Sequence, residues 1–389
     1  MQTFLKETLN DLEQNNLLRR LKKVSGSMGR EIVIDGRRVL NFCSNNYLGL
    51  ADDPRLREAA GISLDEEGLG SGASRLVCGH LSAHQLLEEK IARFKGVEKA
   101  VTFSTGYMAN VGIISSLFDR HDVIFSDRLN HASIIDGILL SGAKMRRYPH
   151  NDMKALEELL KEAGDYKKKA IITDSVFSMD GDLAPLDVIT SLAKKYNSLV
   201  MVDEAHALGV LGRNGKGAVE HFGLEGAIDI QMGTLSKAAG SFGAYCCGSG
   251  DLIDFLINKA RSFIYTTGMP PSIAAAALKG VEIIEKEPSI REGLWDNTRY
   301  FLRALKNIGL DTMRTVTPII PIFIGDADKA KEFSRCLFEK GVYAPAIRPP
   351  TVPRNTARLR LTVMATHTKE DLDFVIEALK KARQEAGLT

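Results

Sequence analysis

The sequence predicts an α/β protein, a mainly parallel sheet with helices on both faces, followed by a smaller α+β unit. Short apolar, β-branched runs alternate with amphipathic stretches from about residue 51 onward, the pattern of strand–helix–strand crossovers. Acidic residues close several of those runs, and beyond Pro270-Pro271 the alternation gives way to long helical stretches. At 389 residues the chain is longer than one core usually organises, which points to two structural units or one large domain with an appendage, and its 44% hydrophobic content supplies ample apolar material for a core.

In chain order, Phe4, Leu5, Leu9, Leu12, Leu17, Leu18 and Leu21 recur at roughly helical spacing, so the first two dozen residues read as an amphipathic helix. Glu31 to Ile34 and Arg38 to Phe42 flank Asp35-Gly36, a dipeptide suited to a tight hairpin turn. These segments form an expected N-terminal arm, residues 1–50. A large domain is expected over 51–275, with helices at Leu86 to Phe94, Met108 to Leu117, Ser133 to Leu140, Met153 to Ala163 and Leu186 to Tyr196. Its strands fall at Ala100 to Phe103, Val123 to Phe125, Ala170 to Thr173 and Leu199 to Val202, with a further apolar run at Ile228 to Met232. The remainder, 276–389, reads as a small α+β domain: helices Ile273 to Glu285 and Ile290 to Lys306, strand Ile319 to Ile324, helix Ala327 to Glu339, strand Arg358 to Val363 and helix Lys369 to Glu385.

Fifty-one basic against 49 acidic residues leave a charge of +2, which supplies no broad footprint for nucleic acid or an anionic membrane. Five scattered cysteines without Cys-x-x-Cys spacing indicate neither a disulfide framework nor a zinc site, and a cytoplasmic setting fits them. The N-terminal 23 residues mix acids and bases without the apolar core of a signal peptide.

Ligands of open α/β sheets bind beyond the carboxyl ends of the strands, and Asp174, Asp203 and Lys237 all sit just past expected strand ends. Asp203 follows four apolar residues, where a carboxylate is costly unless it meets a cation or donors. His206 lies three residues on, and His131 precedes a helix. Phe103 to Tyr107 joins a strand to a helix, a place where free amides and the helix dipole favour phosphate, or where Ser104 or Thr105 simply caps. Gly68-x-Gly70-x-x-Ala73 has the form of a dinucleotide fingerprint but no preceding strand, so a close-approach loop is the better reading. Asp180, Asp182 and Asp187 lack the further ligands of a calcium loop, and no metal is expected. Cys246-Cys247 should point to opposite faces of a strand and pack in the interior.

Seven segments in order carry a resemblance: Asn45 to Leu50, Gly70 to Arg75, Asn130 to Ser133, Phe177 to Gly181, Asp203 to His206, Thr234 to Lys237 and Arg358 to Leu361. On these the chain resembles the α-oxoamine synthases, pyridoxal-phosphate (PLP) enzymes with the aspartate-aminotransferase fold. The resemblance implies a large seven-stranded sheet, a homodimer with shared active sites, and an acyltransferase activity.

Residue by residue, it implies that Lys237 holds the cofactor covalently and moves the substrate proton. Asp203 would pair with the ring nitrogen, His206 and Ser178 would contact the phenolic oxygen, and His131 would stack on the ring. Phosphate contacts would come from Thr105, Gly106, Tyr107 and Thr234, with Thr266 and Thr267 from the second subunit. Asn45, Ser74 and Arg360 fall to substrate binding, Arg360 on the amino-acid carboxylate. Ala346 to Pro353, with Asp203 to His206, is most similar to members that join L-alanine to a pimeloyl thioester in biotin biosynthesis. CoA and an acyl carrier protein are both open as the carrier, and Arg348, Arg19 and Arg20 are candidates for the distal carboxylate. Glycine-using members share every cofactor residue and are the alternative; a non-catalytic regulator built on such a domain lacks room for a DNA-binding module.

Overall fold

The structure is a computed structural model describing residues 1–14, 17–164 and 166–388. Its centre is a seven-stranded sheet in the order Lys99–Phe103, Ala244–Gly248, Ile230–Thr234, Leu199–Asp203, Lys169–Asp174, Val123–Asp127, Lys144–Tyr148. Ala244–Gly248 runs antiparallel to both neighbours and the other pairings are parallel. The expected α/β class therefore holds, with one strand reversed beside a parallel set.

Alternation along the strands sorts side chains between two apolar layers. Val200, Val202, Ile171 and Cys247 face helices Ser82–Lys95, Met153–Lys161 and Leu186–Lys195. Met201, Ile172 and Cys246 face helices Gly106–Leu117, Ala132–Ser141 and Gly250–Lys259. Cys246 and Cys247 are both fully buried, on opposite faces, as the period of two requires. The same alternation turns Asp203, two residues after Met201, toward helix Gly106–Leu117.

Strands Glu31–Ile34 and Arg37–Asn41 form the expected hairpin, with Asp35 and Gly36 at φ 49° and 84°. Arg37–Asn41 also pairs in parallel with Val342–Tyr343, which joins the N-terminal hairpin to the C-terminal part of the chain. The helix at the N-terminus covers Gln2–Gln14, shorter than the two dozen residues expected, and residues 17–23 have no regular structure. Helix Pro54–Glu67, which the sequence pattern did not single out, has proline in its first turn and Asp53 accepting from the Arg55 amide as its cap. Among the described residues, no helix is long and apolar enough to cross a membrane.

Candidate active site

The carboxyl ends of the central strands converge on one set of side chains. Asp203, the last residue of its strand and 4% exposed, accepts from the Ala205 amide on Oδ1 at 2.8 Å and from Asn110 Nδ2 on Oδ2 at 2.8 Å. Among the described residues, no lysine, arginine or histidine forms an ion pair with it. A buried carboxylate with two neutral donors and no cation is left to meet one from a ligand. Asp174, at the end of the next strand, accepts the His131 backbone N–H at 2.6 Å; burial and the charge of Asp203 hold its pKa well above the usual carboxylate range.

Lys237 lies three residues beyond strand Ile230–Thr234, with Nζ 3.0 Å from His206 Nε2. Burial pulls its pKa down to about 8, against the opposing pull of Asp203 and Asp174, so far more of it is free amine near neutrality than of a solvated lysine. Burial, then the charges of Lys237 and Arg360, holds His206 well below the usual imidazole range and therefore neutral. Its other nitrogen, Nδ1, lies 2.6 Å from the Tyr47 hydroxyl. Arg360 is anchored by Nε donating to the Ser178 carbonyl at 2.5 Å and Nη2 donating to Asn45 Oδ1 at 3.0 Å. Lys237, His206, Tyr47, Asn45 and Arg360 thus form one continuous line of polar contacts.

At the opposite end of Asp203, helix Gly106–Leu117 begins with Thr105 capping the Met108 amide at 3.1 Å. Its first turn leaves amides without intrahelical partners. Gly106 has no room for a side chain: a Cβ there would come within 2.8 Å of Thr234 Cγ2. Thr234, buried, donates to the Ala205 carbonyl at 3.3 Å. The Tyr107 ring is half-exposed and its hydroxyl donates to Asp136, so only its backbone faces this cradle.

The structure thus gathers Lys237, His206, Asp203, His131, Thr234, Thr105, Gly106, Asn45, Ser178 and Arg360. Other sequence-selected residues lie elsewhere. Ser74 and Thr267 pair with each other through an isolated bridge, and the Gly268 amide donates to the Ala73 carbonyl at 3.0 Å. Arg20 forms an exposed pair with Glu13 at 3.1 Å. Arg19 and Arg348 line a cavity of about 980 Å³ with Leu12, Leu17, Leu18 and Arg354. Arg348 donates to the Leu18 carbonyl at 3.4 Å and Arg19 to Thr351 Oγ1 at 2.9 Å. Sequence reasoning passed over Asn110 and Tyr47 as site residues. Tyr47 stands inside a quoted motif, and Asn110 is a lone amide in the apolar run Met108 to Leu117, the available signal in each case.

Residues 37–379 match the family Aminotransferase class I and II. The chain is 50% identical over 392 residues to an 8-amino-7-oxononanoate synthase of Citrifermentans bemidjiense, covering 100% of both chains. A solved structure of a lysine-to-alanine serine palmitoyltransferase from S. paucimobilis with a bound PLP–myriocin aldimine is similar at TM-score 0.94 and 31% identity, covering 99% of this chain and 98% of that one. An 8-amino-7-oxononanoate synthase structure from Francisella tularensis is similar at TM-score 0.77 and 33% identity, covering 89% and 98%. With its sheet order, its site and these full-length likenesses agreeing, the chain belongs to the class I and II aminotransferase family, among the α-oxoamine synthases that include 8-amino-7-oxononanoate synthase.

Proposed function

We propose that this protein is a PLP-dependent acyltransferase that condenses L-alanine with a pimeloyl thioester, releasing CO2 and the thiol carrier and forming 8-amino-7-oxononanoate for biotin biosynthesis. The observation that carries the reading is the meeting, at one sheet end, of a buried carboxylate lacking a cation and a lysine whose pKa burial lowers to about 8. The residues fit PLP. Asp203 would hold the ring nitrogen, Lys237 the aldehyde carbon, and Thr105, Thr234 and the amides of Gly106 and Tyr107 the phosphate. His131 would cover the ring and His206 and Ser178 would reach the phenolic oxygen.

When bound, PLP supplies an electron sink for charge developing on the amino acid's Cα. The chain's own groups do the rest. Asp203 keeps a proton on a ring nitrogen placed against it, because its carboxylate gains its missing cation only when that nitrogen is protonated. Lys237 Nζ, with its depressed pKa, takes and returns the Cα proton within tethered reach. Neutral His206 gives Nζ a partner that does not compete for charge. Arg360, fixed by Ser178 and Asn45, orients the carboxylate with its remaining guanidinium hydrogens. The 980 Å³ cavity offers leucines for an acyl chain and Arg19 or Arg348 for its distal carboxylate.

The reading includes a homodimer with shared sites, operating in the cytoplasm. Thr266 and Thr267 sit on a loop bridged to Ser74, and Leu69, Val77 and Tyr265 nearby are 78%, 78% and 71% exposed, an apolar surface suited to a second copy. It also keeps the division into arm 1–50, large domain 51–275 and small domain 276–389. In the test, borohydride reduction of the yellow protein should fix the cofactor to the peptide carrying Lys237, and alanine with pimeloyl thioester should give 8-amino-7-oxononanoate. An adduct on another lysine, or turnover only with glycine and a short acyl-CoA, would sink it.

A further inference from the structure

The interior behind the site contains a chain of hydrogen bonds that the proposed chemistry does not use. Asn110, 1% exposed, spends both Nδ2 hydrogens: one on Asp203 Oδ2 at 2.8 Å, the other on Ser133 Oγ at 2.9 Å. Ser133 is fully buried, and its Oγ lies 2.7 Å from His131 Nδ1. The Ser133 backbone N–H points at the same nitrogen from 3.3 Å.

The donor directions follow from what each group can do. A carboxylate only accepts, so Asn110 must present its amide nitrogen to Asp203. That nitrogen then also donates to Ser133 Oγ, which leaves the hydroxyl hydrogen for the next partner, His131 Nδ1. The backbone N–H at 3.3 Å is the longer, weaker contact, so the Ser133 hydroxyl at 2.7 Å is what makes Nδ1 an acceptor. Neutral His131 therefore carries its proton on Nε2. Burial keeps His131 below the usual imidazole range, against the nearby charge of Asp203, which agrees with an uncharged ring. Asn110 Oδ1 is buried without a hydrogen-bond partner among the described residues, so the amide has accepted a cost to keep both donations.

The geometry points to Asn110 and Ser133 as positioning residues that tie the ring-nitrogen carboxylate, Asp203, to the ring-covering histidine, His131, and fix His131 as its Nε2–H tautomer. This rests on the PLP reading for what lies between the two residues; the relay itself rests on the four side chains alone. Its consequence is one-way tuning: the amide draws on Asp203's charge and aims the hydroxyl, so loss of either polar link should loosen cofactor binding without touching Lys237.

The test uses full-length protein labelled with 15N-histidine and freed of cofactor, with long-range proton–nitrogen NMR to read the tautomer of His131. Wild type should show Nε2–H alone. Ser133→Ala should populate both tautomers, and Ser133→Thr, which keeps the hydroxyl, should restore one. Asn110→Leu should raise the PLP Kd by about tenfold or more, the range for removing a hydrogen bond to a charged group, while borohydride still places the adduct on Lys237. A single Nε2–H tautomer in Ser133→Ala, or a PLP Kd within twofold of wild type in Asn110→Leu, overturns the proposal. If Asn110→Leu does not fold, the Ser133 pair decides. An adduct away from Lys237 in wild type would defeat the PLP reading while leaving the tautomer result standing.

Discussion

Lys95 and Glu204 form an ion pair whose side chains are 2% and 0% exposed, placed directly behind Asp203 and His206. Lys95 also donates to the Lys216 carbonyl at 2.6 Å, and Glu204 Oε1 accepts the Val219 N–H at 2.9 Å. Packing around Glu204 is tight: a Cβ on Gly217 would come within 2.4 Å of its Oε1. Lys95→Met should therefore strand a buried carboxylate and cost about 3–5 kcal/mol of unfolding free energy. Glu204→Gln keeps the acceptor for Val219 but strands the ammonium, with a similar cost. The double variant removes both charges and should cost only about 1–2 kcal/mol, chiefly for the Lys216 carbonyl left without its donor. The cycle then gives a coupling of several kcal/mol, far outside the few tenths expected of independent sites. Urea unfolding of the cofactor-free protein is the assay, because bound PLP would add its own stabilisation. A Lys95→Met cost under about 1 kcal/mol, or additive single costs, would refute the reasoning.

His150 touches Asp127 Oδ1 at 3.1 Å and Asp182 Oδ2 at 2.8 Å; burial opposes its charge, but the two carboxylates win and raise its pKa to about 10. A raised folded-state pKa gives stability that is complete below the unfolded value of about 6.5 and lost as pH climbs through 10. The stability difference between wild type and His150→Gln should shrink over that window, and a flat difference would exclude the charged form. Gly181, at φ 71°, would place a Cβ 2.1 Å from the Ile319 carbonyl oxygen, so Gly181→Ala should destabilise by more than the roughly 1–2 kcal/mol of left-handed strain alone, read by thermal melting. Arg360→Lys should raise the KM for alanine about tenfold or more with a smaller loss of kcat, since a point charge replaces a fork. Arg19→Ala or Arg348→Ala should raise the KM for the acyl thioester, whereas Arg20→Ala should not, because Arg20 faces Glu13 instead of the cavity.

The legible and illegible parts of this protein differ in sequence separation and in burial. Buried strands such as Leu199–Asp203 announced themselves as apolar runs because both faces are covered. Lys144–Tyr148 is an edge strand, exposed or half-exposed at four of its five positions, and its Lys-Met-Arg-Arg-Tyr sequence carries no such run. Strand-end logic selected Asp203 and Lys237 because polar residues closing apolar runs must meet something. The contacts of Arg360 with Ser178 and Asn45 span 182 and 315 residues, and no local periodicity encodes them. Arg19 and Arg20 are neighbours of one type, yet the backbone sends one to the cavity and the other to Glu13.

Asn110 shows what a local reading still offers. An amide within Met108 to Leu117 is too costly to bury unless it is hydrogen-bonded, and a helix opening just after a strand lies beside the ends of the neighbouring strands and the helices that follow them. Those ends carry Asp203 and, one connection on, the segment of His131 and Ser133. The same demand that made Asp203 conspicuous, a polar atom that must be paired inside an apolar layer, thus points from the helix side to the same place.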